Sequence, residues 1–149
     1  DIAQQILFIL ENILAETKNL SSLELMLYIF INNLKSSFLG MIFGVFLGIF
    51  PIITAIINGY FVGFVSSIGV QNQGGLILLR LLPHGIFELP AIFISLGMGL
   101  KFGSFIFKKD YKKYFKYYFE NSIRVFLTIV LPLLFVAAII EGLLIFLIK

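Results

Sequence analysis

The chain has 149 residues, of which 60% are hydrophobic and only 13% charged, and its net charge is +3. Soluble domains carry about a quarter charged residues, so this composition excludes the soluble globular class and indicates an integral membrane protein. With no cysteine and with His84 as the single histidine, one chain cannot build a disulfide framework, a thiolate nucleophile or a multi-histidine metal site. We therefore expect no metal and no other cofactor.

The first element in chain order is an amphipathic helix predicted over residues 2–16, within an interfacial segment at 1–20. Isoleucine and leucine recur on one face of this helix, and glutamine, asparagine and glutamate occupy other positions. A helix of this kind lies at a membrane interface and does not cross it. Ser21 followed by Glu24 has the spacing of a capping box, which predicts the start of the next helix.

Four membrane spans are predicted, over residues 25–50, 52–68, 86–107 and 123–148. The polar stretch 32–37 is expected in the outer part of the first span, because residues 38–50 alone are too few for a core that needs about 20. Pro51 is interpreted as the start of the second span. The rival interpretation is a helix over 38–57 that is kinked at Pro51, which would leave residues 59–68 without a span.

A loop is predicted at residues 69–75, whose sequence GVQNQGG is polar and rich in glycine. The apolar stretch 76–82 is too short to cross and contains Arg80, so it is predicted to be a short dipping segment. Pro83, His84 and Gly85 are expected to break the chain before the third span. These elements predict an all-α membrane protein with four transmembrane helices, interfacial amphipathic helices and a dipping segment, folded as a single bundle over 1–149.

Basic residues are concentrated before the last span, where five of the eleven lie within nine positions: Lys108, Lys109, Lys112, Lys113 and Lys116. On a helix over 108–120 they recur on one side, and tyrosine and phenylalanine recur on the other. Such a helix is predicted to lie at the headgroup level of an anionic leaflet, with the lysines contacting lipid headgroups. The simpler interpretation is a positive-inside anchor, and both interpretations predict a cytoplasmic location.

This location also predicts the orientation of the spans. The third span ends at the lysines, so its start is external, and counting along the chain makes both ends of the sequence external. One further N-terminal span is expected to precede Asp1, which is not an initiator methionine.

Small residues recur every four positions on three of the predicted spans. The three stripes are Ser36, Gly40, Gly44 and Gly48; Ala55, Gly59, Gly63 and Ser67; and Ala91, Ser95, Gly99 and Gly103. Spacing of this kind allows helix backbones to approach closely in lipid. We favour packing within the chain over contact between copies in a homo-oligomer, because one stripe serves only one partner.

Polar and ionisable residues are predicted to gather in the outer half of the membrane as one cluster: His84, Glu88, Glu141, Asn33, Asn58 and Arg80. His84 and Glu88 share a helix face at i, i+4, and Pro90 leaves the carbonyl of Ile86 without its helical donor. Carboxylates in a span are expensive unless they find donors. The cluster is interpreted as a proton or ion path, a headgroup pocket, or a buried network that fixes the bundle.

Several of these residues resemble the stage II sporulation protein M family over about residues 30–149. The similarity lies in Asn32 and Asn33 before a glycine-spaced helix, Pro51 followed by Asn58, Gly59 and Gly63, the run PHGIFELPA with Gly97 and Gly99, and Ala137, Ala138 and Glu141. The resemblance implies a multi-pass membrane protein, usually with five spans. In sporulating bacteria it implies a role in forespore engulfment, as a membrane partner of peptidoglycan-degrading proteins.

The function predicted from all of these features is that of a membrane scaffold or remodelling protein. Its expected partners are the lipid bilayer, further copies of the chain, and membrane or cell-envelope proteins, but not nucleic acid. A small transporter or channel that uses the polar cluster is the alternative. An enzyme is not expected, because no nucleophile with a partnered base, phosphate-binding loop or HExxH motif is present, and an intramembrane hydrolase using His84 and Glu88 is a remote alternative.

Overall fold

The computed structural model describes residues 2–17 and 19–148, and it describes side-chain surroundings within them except at 2, 3, 10, 13, 14, 17, 73, 77, 79–84 and 145–148. Six α-helices follow one another in this part of the chain: α1 Ile2–Thr17, α2 Ser22–Ile42, α3 Ile49–Gln73, α4 Ile77–Gly103, α5 Tyr111–Val125 and α6 Leu131–Ile148. Short 3₁₀ turns, Phe43–Val45 and Ser104–Phe107, follow α2 and α4.

Four segments among the described residues are long and apolar enough to cross a membrane: Ser22–Val45, Ile49–Asn72, Gly85–Phe107 and Tyr111–Leu144. The prediction of an all-α membrane protein with four spans is therefore confirmed. The helix predicted at residues 2–16 is present as α1, which is 16 residues long and is not among these four segments.

The capping box predicted at the start of α2 is formed. The Ser21 backbone N–H donates to Glu24 Oε2 at 2.8 Å, and the Glu24 N–H donates to Ser21 Oγ at 3.4 Å. This cap starts the helix at Ser22, so the polar stretch 32–37 falls near the middle of the first span and not in its outer part. Tyr28 Oη donates to Glu16 Oε2 at 3.1 Å and ties α1 to α2.

A tight corner reverses the chain between α2 and α3. Leu47 and Gly48 both have positive φ, at 58° and 72°, and Gly48 is the N-cap of α3. Pro51 lies in the first turn of α3, where its missing N–H has no intrahelical acceptor. The prediction that a helix starts at Pro51 is confirmed to within two residues, and the rival kinked helix is wrong.

The predicted loop and dipping segment are both wrong in extent. Helix α3 continues to Gln73, and only residues 74–76 separate it from α4. Helix α4 then runs without a break through Pro83, His84, Gly85 and Pro90. A break at membrane depth would expose unpaired backbone groups to hydrocarbon, so a spanning helix tolerates proline where a soluble helix would end.

The predicted boundary between a basic interfacial helix and a fourth span is also absent. Helix α5 continues into α6 through a π-helical segment, Phe126–Val130, so residues 111–148 are helical throughout. Pro132 cannot donate to the carbonyl of Thr128, which accounts for a local change of helical pitch here. The Leu131 N–H instead donates to the Phe126 carbonyl, five residues earlier.

The core lies where α2, α4 and α6 pack against one another. Its buried centre contains Met41, Ala91, Phe126, Val130 and Leu134. Edge-to-face ring pairs join α2 to α6, with Phe30 against Phe135 at 6.0 Å and Phe38 against Phe126 at 5.2 Å. Since the residue numbers rise on one helix as they fall on the other, α2 and α6 are antiparallel. Helix α3 lies outside this trio and packs mainly on α4.

Candidate functional site

A hydrogen bond between two buried serines fixes the register of α2 on α4. Ser95 Oγ donates to the Ser37 carbonyl at 2.7 Å, and both residues are almost fully buried. The two positions are 58 residues apart, and the glycines further along the same helices keep nearly the same separation. Helices α2 and α4 are therefore parallel, and a residue of α2 lies level with the residue of α4 that is 58 positions later.

Glycines bring the backbones of these two helices into direct contact, forming a surface that we call the glycine seam. Its members are Gly40, Gly44, Gly48, Gly99 and Gly103. A Cβ added to Gly44 would collide with the backbone of Gly99, and one added to Gly103 would collide with the backbones of Gly44 and Gly48. Backbone cannot rotate away as a side chain can, so alanine is already too large at these positions.

The other members of the seam also meet side chains. A Cβ on Gly40 would lie 2.7 Å from Leu96 Cδ2, and one on Gly99 would lie 2.8 Å from Pro51 Cγ and equally close to the backbone oxygen of Gly40. At Gly48 a Cβ would lie 3.0 Å from Leu100 Cδ2, and the positive φ disfavours any other residue as well. The seam thus joins α2, the corner and α4 as one packed unit.

The stripe on α3 behaves differently. A Cβ added to Gly59 or Gly63 would meet no atom within 4 Å among the described residues. The surrounding side chains are also exposed, with Ile56 at 65% and Ile57 at 61%. These two glycines therefore face outward, and within the described chain nothing uses the close approach that they permit.

Sequence reasoning missed one member of the α2–α4 contact. The four-residue stripe included Ser36, which is exposed, whereas Ser37 is the buried residue that accepts from Ser95. An α-helix advances about 100° per residue, so a strict four-residue repeat drifts about 40° per step. Positions 37, 40, 41 and 44, with mixed spacings of three and four, follow the buried face.

Glu88 and Glu141 of the predicted polar cluster are both half-buried. Each interacts with a neighbouring group, so neither carboxylate stands alone. Gly142 of α6 lies against Met26 of α2, and a residue of α2 lies level with the residue of α4 that is 58 positions later. Glu141 is therefore level with the turn of α4 that precedes Glu88. The two carboxylates thus lie about one helical turn apart along the bundle axis.

The two asparagines lie deeper than the carboxylates. By the 58-residue offset, Asn33 is level with Ala91, about one turn from Glu88 toward the bundle centre. Helix α3 runs back along α4 from the contact of Pro51 with Gly99, so Asn58 reaches a similar depth. Both asparagines are half-buried. The side chains of His84 and Arg80 lie outside the described residues, and the cluster as a whole stays a prediction.

The lysines of the basic segment are all exposed: Lys108, Lys109, Lys112, Lys113 and Lys116. Part of the aromatic side of α5 is not free to enter lipid as predicted. Phe115 packs against Phe102 and Phe105 at ring distances of 5.2 and 5.1 Å. The only ion pair described on this helix joins Lys116 and Glu120 at 3.8 Å.

In the part of the chain that the structure describes, no three His, Cys, Asp or Glu residues lie close enough together to hold a metal ion.

The helical architecture and the four apolar segments define a multi-pass α-helical membrane protein. The family model described as Stage II sporulation protein M matches residues 2–144. The chain therefore belongs to the stage II sporulation protein M family, as the sequence motifs indicated.

Two relatives come from Methanocaldococcus jannaschii. The chain is 30% identical to "Uncharacterized protein MJ0706" over 133 residues, which is 85% of this chain and 58% of that protein. It is 42% identical to "Uncharacterized protein MJ0793" over 72 residues, which is 47% of this chain and 40% of that protein. The matched stretches thus span about half the length of these relatives. No solved structure matches the chain significantly.

Proposed function

We propose that the protein is a membrane scaffold or remodelling factor that gathers other membrane proteins through the outward face of α3, without catalysis of its own. The observation that carries this proposal is the contrast between two sets of glycines. The glycines of the glycine seam are already in contact with the facing helix within the chain, whereas Gly59 and Gly63 face away from the described chain. Membership of the stage II sporulation protein M family supports a role in the membrane.

The composition of α3 gives the physical reason. An isoleucine side chain is about as stable against lipid as against protein, so the exposed isoleucines of α3 do not require a protein partner. Glycine inside a helix is less favourable than alanine by about 1 kcal/mol, and on a lipid-facing surface nothing offsets this cost. A partner helix that packs closely on Gly59 and Gly63 would offset it through van der Waals contact. The partner is a transmembrane helix of another protein or of a second copy.

Cross-linking from α3 tests this proposal directly, because the chain contains no cysteine. A Gly59→Cys or Gly63→Cys variant, labelled on the new thiol with a benzophenone that inserts into neighbouring C–H bonds on illumination in the native membrane, is expected to give a discrete adduct on a gel. An adduct of twice the chain mass indicates a second copy, and any other discrete mass indicates a partner protein.

Gly97→Cys is the matched control, since Gly97 is also exposed in a spanning helix and also has no atom within 4 Å of an added Cβ. It has the large residues Phe93 and Lys101 four positions away on either side, so it forms no stripe on which a partner helix could pack closely. It is expected to give no discrete adduct. Equal cross-linking at all three positions, or at none, would count against α3 as the scaffold face.

The predicted orientation forms part of this proposal, because it decides which partner segments reach the protein. We expect Gly75→Cys to react with an impermeant maleimide from outside the cell, and Lys112→Cys to react only after the membrane is opened. The positive-inside rule is the reason. Both positions are exposed, so access to the reagent and not burial determines labelling. The opposite pattern would reverse the orientation.

A small transporter or channel is the second candidate. It is favoured by the neighbouring depths of Asn33, Asn58 and Glu88, which put polar groups of three helices near the level of Ala91. Polar groups in a span are often part of an ion or proton path.

A further inference from the structure

Positive charge is concentrated at one end of the bundle. Between Lys101 and Arg124 the chain carries seven basic and two acidic residues, a net charge of +5, whereas the whole chain has +3. The rest of the chain therefore carries −2. This asymmetry makes the turn between α4 and α5, with the first half of α5, a strongly cationic surface.

The length of the last helix puts this surface outside the hydrocarbon. The segment Tyr111–Leu144 has 34 residues and is therefore about 51 Å long, against a hydrocarbon core of about 30 Å. About two-fifths of this helix extends beyond the core, and its lysine end is the polar end. The end of α4 lies level with the corner before α3, since Gly103 faces Gly48. The five lysines come shortly after Gly103 in the chain and therefore lie just beyond this level, at the depth of the headgroups.

Internal packing holds the surface in place. Phe119 packs on Phe102 at a ring distance of 5.9 Å, and Tyr118 is 9% exposed. Two lysines lie over tyrosine rings, Lys101 over Tyr118 at 5.8 Å and Lys108 over Tyr114 at 5.9 Å. Contacts of this kind position the ammonium groups, so that less conformational freedom is lost when they bind an anion.

Two large apolar side chains project beside the lysines. Ile106 is 54% exposed and Phe107 is 78% exposed, at the turn immediately before Lys108. A protein partner that bound only to the lysines would not require two exposed apolar side chains beside them. A bilayer surface accommodates both features, because apolar side chains enter between headgroups while lysines contact the phosphates.

We infer that residues 106–116 form a binding surface for anionic phospholipid, which we call the lysine collar. The phosphate of the headgroup accepts hydrogen bonds from the lysine ammonium groups, and Ile106 and Phe107 insert beside it. The outward glycines of α3 lie near the middle of that helix, away from the turn between α4 and α5, so the collar is a separate surface from the proposed scaffold face. It anchors this end of the bundle to a leaflet of negative charge.

A single tryptophan reports on the lipid at the collar, since the natural chain contains none. The Phe107→Trp variant of the full chain is reconstituted in bilayers of phosphatidylcholine and phosphatidylglycerol, with one or the other lipid brominated as a quencher. We expect brominated phosphatidylglycerol to be preferred at this tryptophan by about fivefold or more, the factor that corresponds to one lysine at an anionic surface.

Changing the five lysines to glutamine should reduce this preference to about onefold, whereas changing them to arginine should retain it. The arginine variant separates loss of charge from failure to fold. Leu76→Trp, made together with Arg80→Gln, is the matched control at the other end of the bundle, where the exposed residue then has no lysine or arginine within ten positions in the sequence, and it should show no preference. A wild-type collar with no preference would point to an acidic protein segment and overturn the inference. So would a preference that survives in the glutamine variant or is equal at Leu76→Trp.

Discussion

Replacing Gly44 by leucine is expected to destabilise the bundle by about 3 kcal/mol or more, the upper end of the range for overpacked cores. A Cβ at this position meets the backbone of Gly99, so α2 and α4 must separate along the whole glycine seam. That separation would also break the buried bond from Ser95 to Ser37. The measurement is unfolding in mixed micelles with increasing dodecyl sulfate, followed by near-ultraviolet circular dichroism.

Gly97→Leu and Gly63→Leu are the controls for this substitution. Each adds the same side chain to a spanning helix, and neither position has an atom within 4 Å of the new Cβ. Both should unfold within about 1 kcal/mol of the wild type, since only helix propensity changes. If Gly44→Leu unfolded like these two, the close approach at the seam would not contribute to stability.

The number of spans was predictable because it depends on length and apolar composition alone. Each span must supply about 20 apolar residues, and this requirement does not depend on which helices touch. The capping box at Ser21 and Glu24 was predictable for a related reason, since both partners lie within one turn of sequence. The start of α3 near Pro51 also follows from local geometry.

Helix boundaries were less predictable where local preference and the membrane disagree. The sequence GVQNQGG and the run from Pro83 to Gly85 have the composition of loops in water. The structure keeps most of the first and all of the second in helices, because hydrocarbon penalises every unpaired N–H and C=O. The preference of single residues is a weak guide when the solvent itself enforces helix formation.

The destination of each glycine stripe could not be predicted from spacing. All three stripes have the same four-residue period, but only those of α2 and α4 face each other. Their pairing requires an offset of 58 residues, which is set by the corner at Leu47 and Gly48 and by the length of α3. Spacing therefore predicts that a helix can approach another closely, and the tertiary fold decides whether the partner is in the same chain.

Substitutions at Glu88 distinguish the scaffold function from the transporter function most clearly. The Glu88 carboxylate is half-buried near the start of the third span and interacts with a neighbouring group. Glutamine keeps the shape and an acceptor oxygen but cannot release a proton, whereas leucine removes the acceptor altogether. The two substitutions therefore test different properties of one side chain.

For a scaffold, we expect Glu88→Gln to stay near wild-type stability and, combined with Gly59→Cys, to give the same cross-linked adduct. Glu88→Leu should lose about 1–3 kcal/mol, because the group that now contacts the carboxylate would be left without its partner in a low-dielectric environment. Unfolding in mixed micelles measures both variants, and Glu141→Gln with Glu141→Leu forms the matched pair on α6. Proton flux into vesicles containing the wild type, abolished by Glu88→Gln in a protein that still folds, would instead establish the transporter, since only loss of the ionisable proton separates the two proteins.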